Sequence, residues 1–141
     1  MICSATIKLK LFPKSRFTLY WLPVIIYCAA IFIQSSFPTS EQIPDWRNLD
    51  KILHMAAYAI LGALFFRALS TGRFRKRLKT AVILSILLSG LYGLSDEIHQ
   101  AFVPGRSPEA ADVLADFIGG ILGVSYGWFR FKRIDKSVDL L

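Results

Sequence analysis

The chain has 141 residues, of which 54% are hydrophobic, two cysteines and a formal net charge of +7. Its length allows one domain. Its mean hydropathy of +0.46 excludes an ordinary soluble domain, in which apolar residues alternate with solvated ones. The basic charge argues against nucleic acid as a partner, because the cations sit in short segments between long apolar blocks rather than along one face.

Each block is about 20 residues long, enough to cross a hydrocarbon core of about 30 Å. Lipid offers backbone groups no water, so every block is predicted to be helical, and no sheet is expected. The first block, Phe17–Ser36, carries no charge and follows Lys8, Lys10, Lys14 and Arg16. It is longer than a signal-peptide core and contains Pro23, which predicts a retained, kinked span. An irregular loop follows, with Pro38, Glu41, Pro44, Asp45, Trp46 and Arg47. The second block, Leu49–Leu69, ends at a basic loop holding Arg73, Arg75, Lys76, Arg77 and Lys79.

The third block, Thr80–His99, leads into a loop whose Pro104-Gly105 pair is a turn signal that would present Arg106 above the bundle. The fourth, Ala110–Phe129, carries Gly119, Gly123 and Gly127 at four-residue intervals. Such a stripe lets another helix approach closely, within the bundle or across a homodimer. Arg130, Lys132, Arg133 and Lys136 follow it.

By the positive-inside rule, the three basic segments are cytoplasmic and the other two loops face outward. The expected fold is an all-α integral membrane four-helix bundle, N-in and C-in, multi-pass in a cell membrane, with the lipid bilayer as its solvent. Residues 1–16 form a basic cytoplasmic segment, 17–130 the transmembrane domain and 131–141 a cytoplasmic tail. Trp21, Trp46 and Trp128 lie near span ends, where indoles anchor at the interface. Cys3 and Cys28 offer no outer-face disulfide.

Ionisable residues inside a membrane are costly, so each raises a functional hypothesis. On the second span Asp50, His54 and Tyr58 recur every four residues, with Lys51 beside them. On the third, Asp96 and Glu97 are consecutive and precede His99 and Gln100; on the fourth, Asp112 and Asp116 run into the glycine stripe. With alternating helix directions these groups and Arg106 converge at the outer face.

The residues Asp50, Lys51, His54, Tyr58, Leu61 and Gly62 resemble the first motif of the VanZ-like membrane proteins. Asp96, Glu97, Gln100, Phe102, Pro104, Gly105, Arg106, Asp112 and Gly119 resemble the second, in the same order. The resemblance covers about residues 20–130. It implies a four-helix bacterial membrane protein of the cell envelope, and a namesake associated with low-level resistance to the glycopeptide antibiotic teicoplanin. Asp116 departs from the pattern, which more often has asparagine there.

Two functional classes follow. In the first, the outer-face cluster binds or modifies an envelope precursor or a lipid-linked phosphate. Lys51 and Arg106 would hold the anion, His54 beside Asp50 would act as base, and Glu97 beside Asp96 as acid. Asp50, Lys51, Tyr58, Gln100, Arg106, Asp112 and Asp116 are the ligand-binding candidates, and His54, Asp96 and Glu97 the catalytic ones. A divalent metal is a further option, with oxygens from Asp96, Glu97, Asp112 and Asp116 and nitrogen from His54, but no paired-histidine spacing singles out metal ligands. In the second class the bundle is not an enzyme, acts through helix and protein contacts, and uses its charges as structural ion pairs.

Overall fold

The computed structural model describes residues 16–38, 49–71 and 74–138. The basic residues before Arg16, Glu41, Pro44, Asp45, Trp46 and Arg47 of the first loop, Arg73, and the last three residues lie outside the described residues. Four helices follow in chain order, α1 (Arg16–Ser35), α2 (Leu49–Thr71), α3 (Leu78–Gln100) and α4 (Ala110–Val138), with no strand among the described residues. Each contains a segment long and apolar enough to cross a membrane.

The outside of the bundle is apolar. Leu19, Ile25, Ile26 and Ile33 of α1, Ile52 and Ile60 of α2, Ile83 and Leu91 of α3, and Leu114 and Leu122 of α4 are all exposed. A water-soluble bundle would bury such a surface, and a bilayer solvates it. The polar residues go inward instead, with Ser85, Ser89, Asp96, Glu97, Gln100, Asp112 and Asp116 all buried.

Helices α2 and α4 form the closest pair because neither has side chains in the way. Gly119 lies under the Met55 carbonyl, Gly123 under the Ala59 carbonyl, and Gly127 against the Phe66 ring. In return, a Cβ at Gly62 of α2 would lie 2.5 Å from the Gly120 carbonyl oxygen. The glycine stripe therefore faces α2 of the same chain. Small residues on both partners let the backbones approach, and dispersion over that contact replaces the hydrophobic drive that lipid removes.

Helix α3 completes the packing with its own row of small residues. Ala81, Ser85, Ser89 and Gly93 recur every four positions and are buried, and the row runs on to Glu97. Val24, Tyr58, Leu61, Phe65 and Ala68 form one apolar cluster between α1 and α2, and Phe66, Leu69, Ala81 and Val124 form a second between α2, α3 and α4. Helix α1 is attached mainly to α2, with little contact to α3. The Tyr27 hydroxyl donates to the Ala57 carbonyl at 3.2 Å, and the Tyr92 hydroxyl of α3 donates to the Cys28 carbonyl at 2.6 Å. Pro23 lies inside α1, which continues through it.

The largest difference from the sequence-based boundaries is at the end of α4, which runs nine residues beyond Phe129, to Val138. Phe131 packs against the second apolar cluster, while Lys132 lies 4.7 Å from the Trp128 ring centroid and Arg133 lies 4.8 Å from that of Phe129. These cation–ring pairs at four-residue spacing support the helix where hydropathy falls. The described part of the predicted tail is thus helical.

A buried carboxylate cluster at one end of the bundle

The start of α2, the ends of α1 and α3 and the start of α4 meet at one end of the bundle. The α3–α4 connection turns sharply there. Arg106 N–H donates to the Val103 carbonyl at 3.1 Å, with Pro104 and Gly105 at the centre of the turn and Gly105 at φ 81°. This is the type II arrangement, in which proline supplies the first central residue and only glycine takes the positive φ without strain.

Arg106, expected to be presented above the bundle, folds back onto the end of α1. Its Nε donates to the Phe37 carbonyl at 2.9 Å and its Nη2 to the Gln34 carbonyl at 3.2 Å. The last carbonyls of a helix lack intrahelical donors, so the guanidinium caps α1 and ties it to the α3–α4 loop. Arg106→Ala is expected to accelerate amide exchange across residues 32–37 while leaving the α2–α4 pair protected. Hydrogen exchange read by mass spectrometry checks this.

Asp96 and Glu97, adjacent in sequence, point to different neighbours. Asp96 accepts a 2.6 Å hydrogen bond from the Ser35 hydroxyl of α1 on Oδ1 and a 3.0 Å bond from Gln100 Nε2 on Oδ2. Gln100 therefore bonds within its own helix rather than across to another. Glu97 reaches α4, where its Oε2 accepts the Glu109 backbone N–H at 3.0 Å. A carboxylate at a helix N-terminus satisfies an orphan donor and opposes the positive end of the helix dipole.

His54 takes a different partner from the one expected. Its Nδ1 lies 3.0 Å from Asp116 Oδ1, whereas its Nε2 is 3.9 Å from Asp50 Oδ1, whose side chain is 60% exposed. Asp116 of α4 is thus the carboxylate that orients the imidazole. Gly93 makes room for it, since a Cβ there would lie 2.7 Å from Asp116 Oδ2. Lys51 pairs with Glu109 Oε2 at 2.8 Å and lies 3.4 Å from Asp112 Oδ1, near enough for an ion pair but not aligned as a hydrogen bond. That ammonium holds the Glu109 carboxyl below the usual carboxylate range, by a hydrogen bond first and by charge second.

Of the thirteen residues singled out in the sequence, Asp50, Lys51, His54, Tyr58, Asp96, Glu97, Gln100, Arg106, Asp112 and Asp116 come together at this end. Gly119, Gly123 and Gly127 lie along the α2–α4 seam. Tyr58 is buried one turn inward from His54, and its hydroxyl has no hydrogen-bond partner among the described residues. Sequence reasoning missed Ser35, which ends an uncharged span and gives no chemical signal. It also left Glu109 outside the candidate set, although that acid stands three residues before Asp112. His99 stays at the rim, stacked on Phe32 at 4.5 Å with Nε2 3.0 Å from the Ser36 hydroxyl.

Beside the cluster is a cavity of about 260 Å³ between α1, α2 and α3. Its lining is mixed: Gln34, Ser35, Asp50, His54, Tyr58, Asp96, Gln100 and Arg106 are polar, and Ile31, Leu53 and Ala57 are apolar. At the other end of the bundle a wider cavity of about 780 Å³, lined mainly by apolar residues, runs along α2 and α4 with Arg67 and Arg130 among its walls.

Fold and site together define a multi-pass helical membrane protein whose buried carboxylates are gathered at one end of a four-helix bundle. The model of the VanZ/LLP1 family matches residues 9–131, and the chain belongs to that family. No curated protein and no solved structure matches the chain.

Proposed function

We propose that the carboxylate-rich end faces outward, with both chain ends cytoplasmic, and that its cavity binds or modifies a phosphate-bearing envelope component, such as a lipid-linked precursor. The orientation rests on Arg75, Lys76 and Arg77, which lie between α2 and α3 at the opposite end, and on Lys79 in the first turn of α3. The ligand class rests on one observation, the mixed polar and apolar lining of the 260 Å³ cavity. Polar groups for a headgroup, together with the apolar Ile31, Leu53 and Ala57, suit an amphiphile lying at the membrane edge. His54 is the candidate base, oriented by Asp116, and Glu97 the candidate acid. An altered response to a glycopeptide such as teicoplanin would be the cellular readout of this reading.

Lys51 and Arg106 are already engaged, with two carboxylates and two carbonyls respectively, so a phosphate must compete for them or use another positive group. The test is retention of a long-chain isoprenyl phosphate by protein in lipid nanodiscs, read by native mass spectrometry. Wild type is expected to retain it and Leu53→Trp, which fills the cavity from α2, to lose it with unchanged thermal stability. Equal retention by the two, or none by wild type, removes the reading. The non-enzymatic alternative has its own support, since the Ser35–Asp96–Gln100, Lys51–Glu109 and Arg106–Phe37 contacts join every element at this end.

A further inference from the structure

We infer that His54, Glu97 and Asp116 form a site for one divalent cation of the zinc or manganese class. The three residues come from α2, α3 and α4, and each offers a ligand atom within 4.8 Å of the others. Glu97 is 4% exposed and Asp116 0%, so these carboxylates are shielded from water. Each has one oxygen left over. Glu97 Oε1 and Asp116 Oδ2 are buried with no hydrogen-bond partner among the described residues.

A buried carboxylate oxygen without a partner costs free energy, and two carboxylates that approach within 4.8 Å of each other add repulsion. Neither Lys51 nor Arg106 neutralises this pair. Among the described residues Lys51 is held by Glu109 and Asp112, and Arg106 by the Gln34 and Phe37 carbonyls. Of the two carboxylates His54 bonds Asp116, through its Nδ1, while its Nε2 lies 3.9 Å from Asp50 Oδ1. One divalent ion would meet both leftover charges at once.

The His54–Asp116 spacing is one that a small transition-metal ion can bridge. His54 Nδ1 and Asp116 Oδ1 are 3.0 Å apart. Two adjacent ligands on an ion with bonds of about 2.1 Å stand at about that separation when the angle between them is near a right angle. One imidazole with two carboxylates favours zinc or manganese over calcium, which takes six or more oxygens. Asp50 and Asp112 form a second set with His54, at the same 4.8 Å limit, and provide negative charge on the ion's approach. Because His54 also lines the cavity, a bound ion would stand at the cavity wall and supply the positive group that a phosphate there requires. That use rests on the function proposed above, whereas cation binding does not.

The experiment uses the full chain in nanodiscs, stripped with chelator and then equilibrated with zinc or manganese chloride. Metal content is read by elemental mass spectrometry, affinity by calorimetry, and the manganese-loaded protein by pulsed electron paramagnetic resonance. Wild type is expected to bind one ion per chain. Its manganese form should show coupling to an imidazole nitrogen. Glu97→Gln and Asp116→Asn should each weaken binding by about 100-fold or more, while Arg67→Gln at the far end of the bundle should bind as wild type does.

Absence of stoichiometric metal in wild type, or manganese bound without nitrogen coupling, overturns the site whether or not the variants fold. So does wild-type affinity in a folded Glu97→Gln. An ion bound as expected, with no isoprenyl phosphate retained in its presence, supports the cation site and removes only the phosphate reading.

Discussion

Gly123→Leu is expected to separate α2 from α4 and to be the most destabilising single substitution in the glycine stripe. Any Cβ at this position runs into the Ala59 carbonyl oxygen and carbon, which belong to the backbone of α2 and have no rotamer by which to yield. The helices must move apart, which also lifts Gly119 from Met55 and Gly62 from Gly120. Overpacking of a tight contact costs about 1–3 kcal/mol, and the upper end or more is expected where backbone must give. Even Gly123→Ala should therefore be costly. Gly90→Ala provides the contrast, because its new methyl would meet the edge of the Phe117 ring, which is 39% exposed and able to swing aside. Unfolding in mixed micelles, followed by circular dichroism, should place Gly123→Leu and Gly123→Ala well below wild type and Gly90→Ala close to it. Equal midpoints for Gly123→Ala and Gly90→Ala would mean that the seam is looser than its geometry indicates.

Asp96→Ala should be the most costly substitution in the polar cluster. The carboxylate is 5% exposed and satisfies two buried donors, Ser35 Oγ at 2.6 Å and Gln100 Nε2 at 3.0 Å. Truncation leaves Gln100 Nε2 without its acceptor, leaves the Ser35 hydroxyl only the Phe32 carbonyl at 3.1 Å, and opens a void. Loss of about 2–4 kcal/mol is expected. Because Ser35 sits in the last turn of α1, that helix should loosen from α3 before the rest of the bundle melts. Asp96→Asn should recover part of the loss, since an amide oxygen still accepts from Ser35, although the amide nitrogen faces the Gln100 donor until that side chain flips. Thermal unfolding in detergent, with exchange at residues 32–37, separates the two variants. The opposite result, Asp96→Ala as stable as wild type or more so, would show that the charge is kept at the expense of stability, as functional groups often are.

Taken together, the two substitutions probe different parts of one design. The α2–α4 seam is built from glycine and alanine on both sides, and it is also what brings His54 and Asp116 within 3.0 Å. Separating the helices at Gly123 should therefore disturb the cluster two turns away, whereas cutting the Asp96 bonds should leave the seam intact. A tight scaffold under a costly polar group is a sensible order of construction, because a buried charge persists only where its surroundings over-determine its position.

Helix number, approximate span ends, family and the convergence of polar residues at one end were all legible in the sequence. The reason is that lipid imposes length and composition on each span one at a time, without reference to any other. The four-residue spacing of Asp50, His54 and Tyr58, and of Asp112 and Asp116, likewise follows from helix geometry alone. A further local signal was available and unused: the buried row Ala81, Ser85, Ser89 and Gly93 points directly at Glu97 and marks it as inward-facing.

What only the tertiary structure decided is which side chain answers which. Asp50 is the acid nearest to His54 along its own helix, yet Asp116 is its partner, because α4 approaches α2 closely enough to outcompete a neighbour four residues away. Arg106, expected to be presented above the bundle, caps α1, since the Pro104-Gly105 turn folds it back toward the carbonyls of Gln34 and Phe37. Asp96 and Glu97 share a peptide bond but serve α1 and α4 respectively, the 100° step of the helix turning them to different neighbours. A sequence states the chemistry that each helix carries to the cluster. The pairing depends on distances between helices, and those follow from how closely glycine, alanine and serine let the backbones approach.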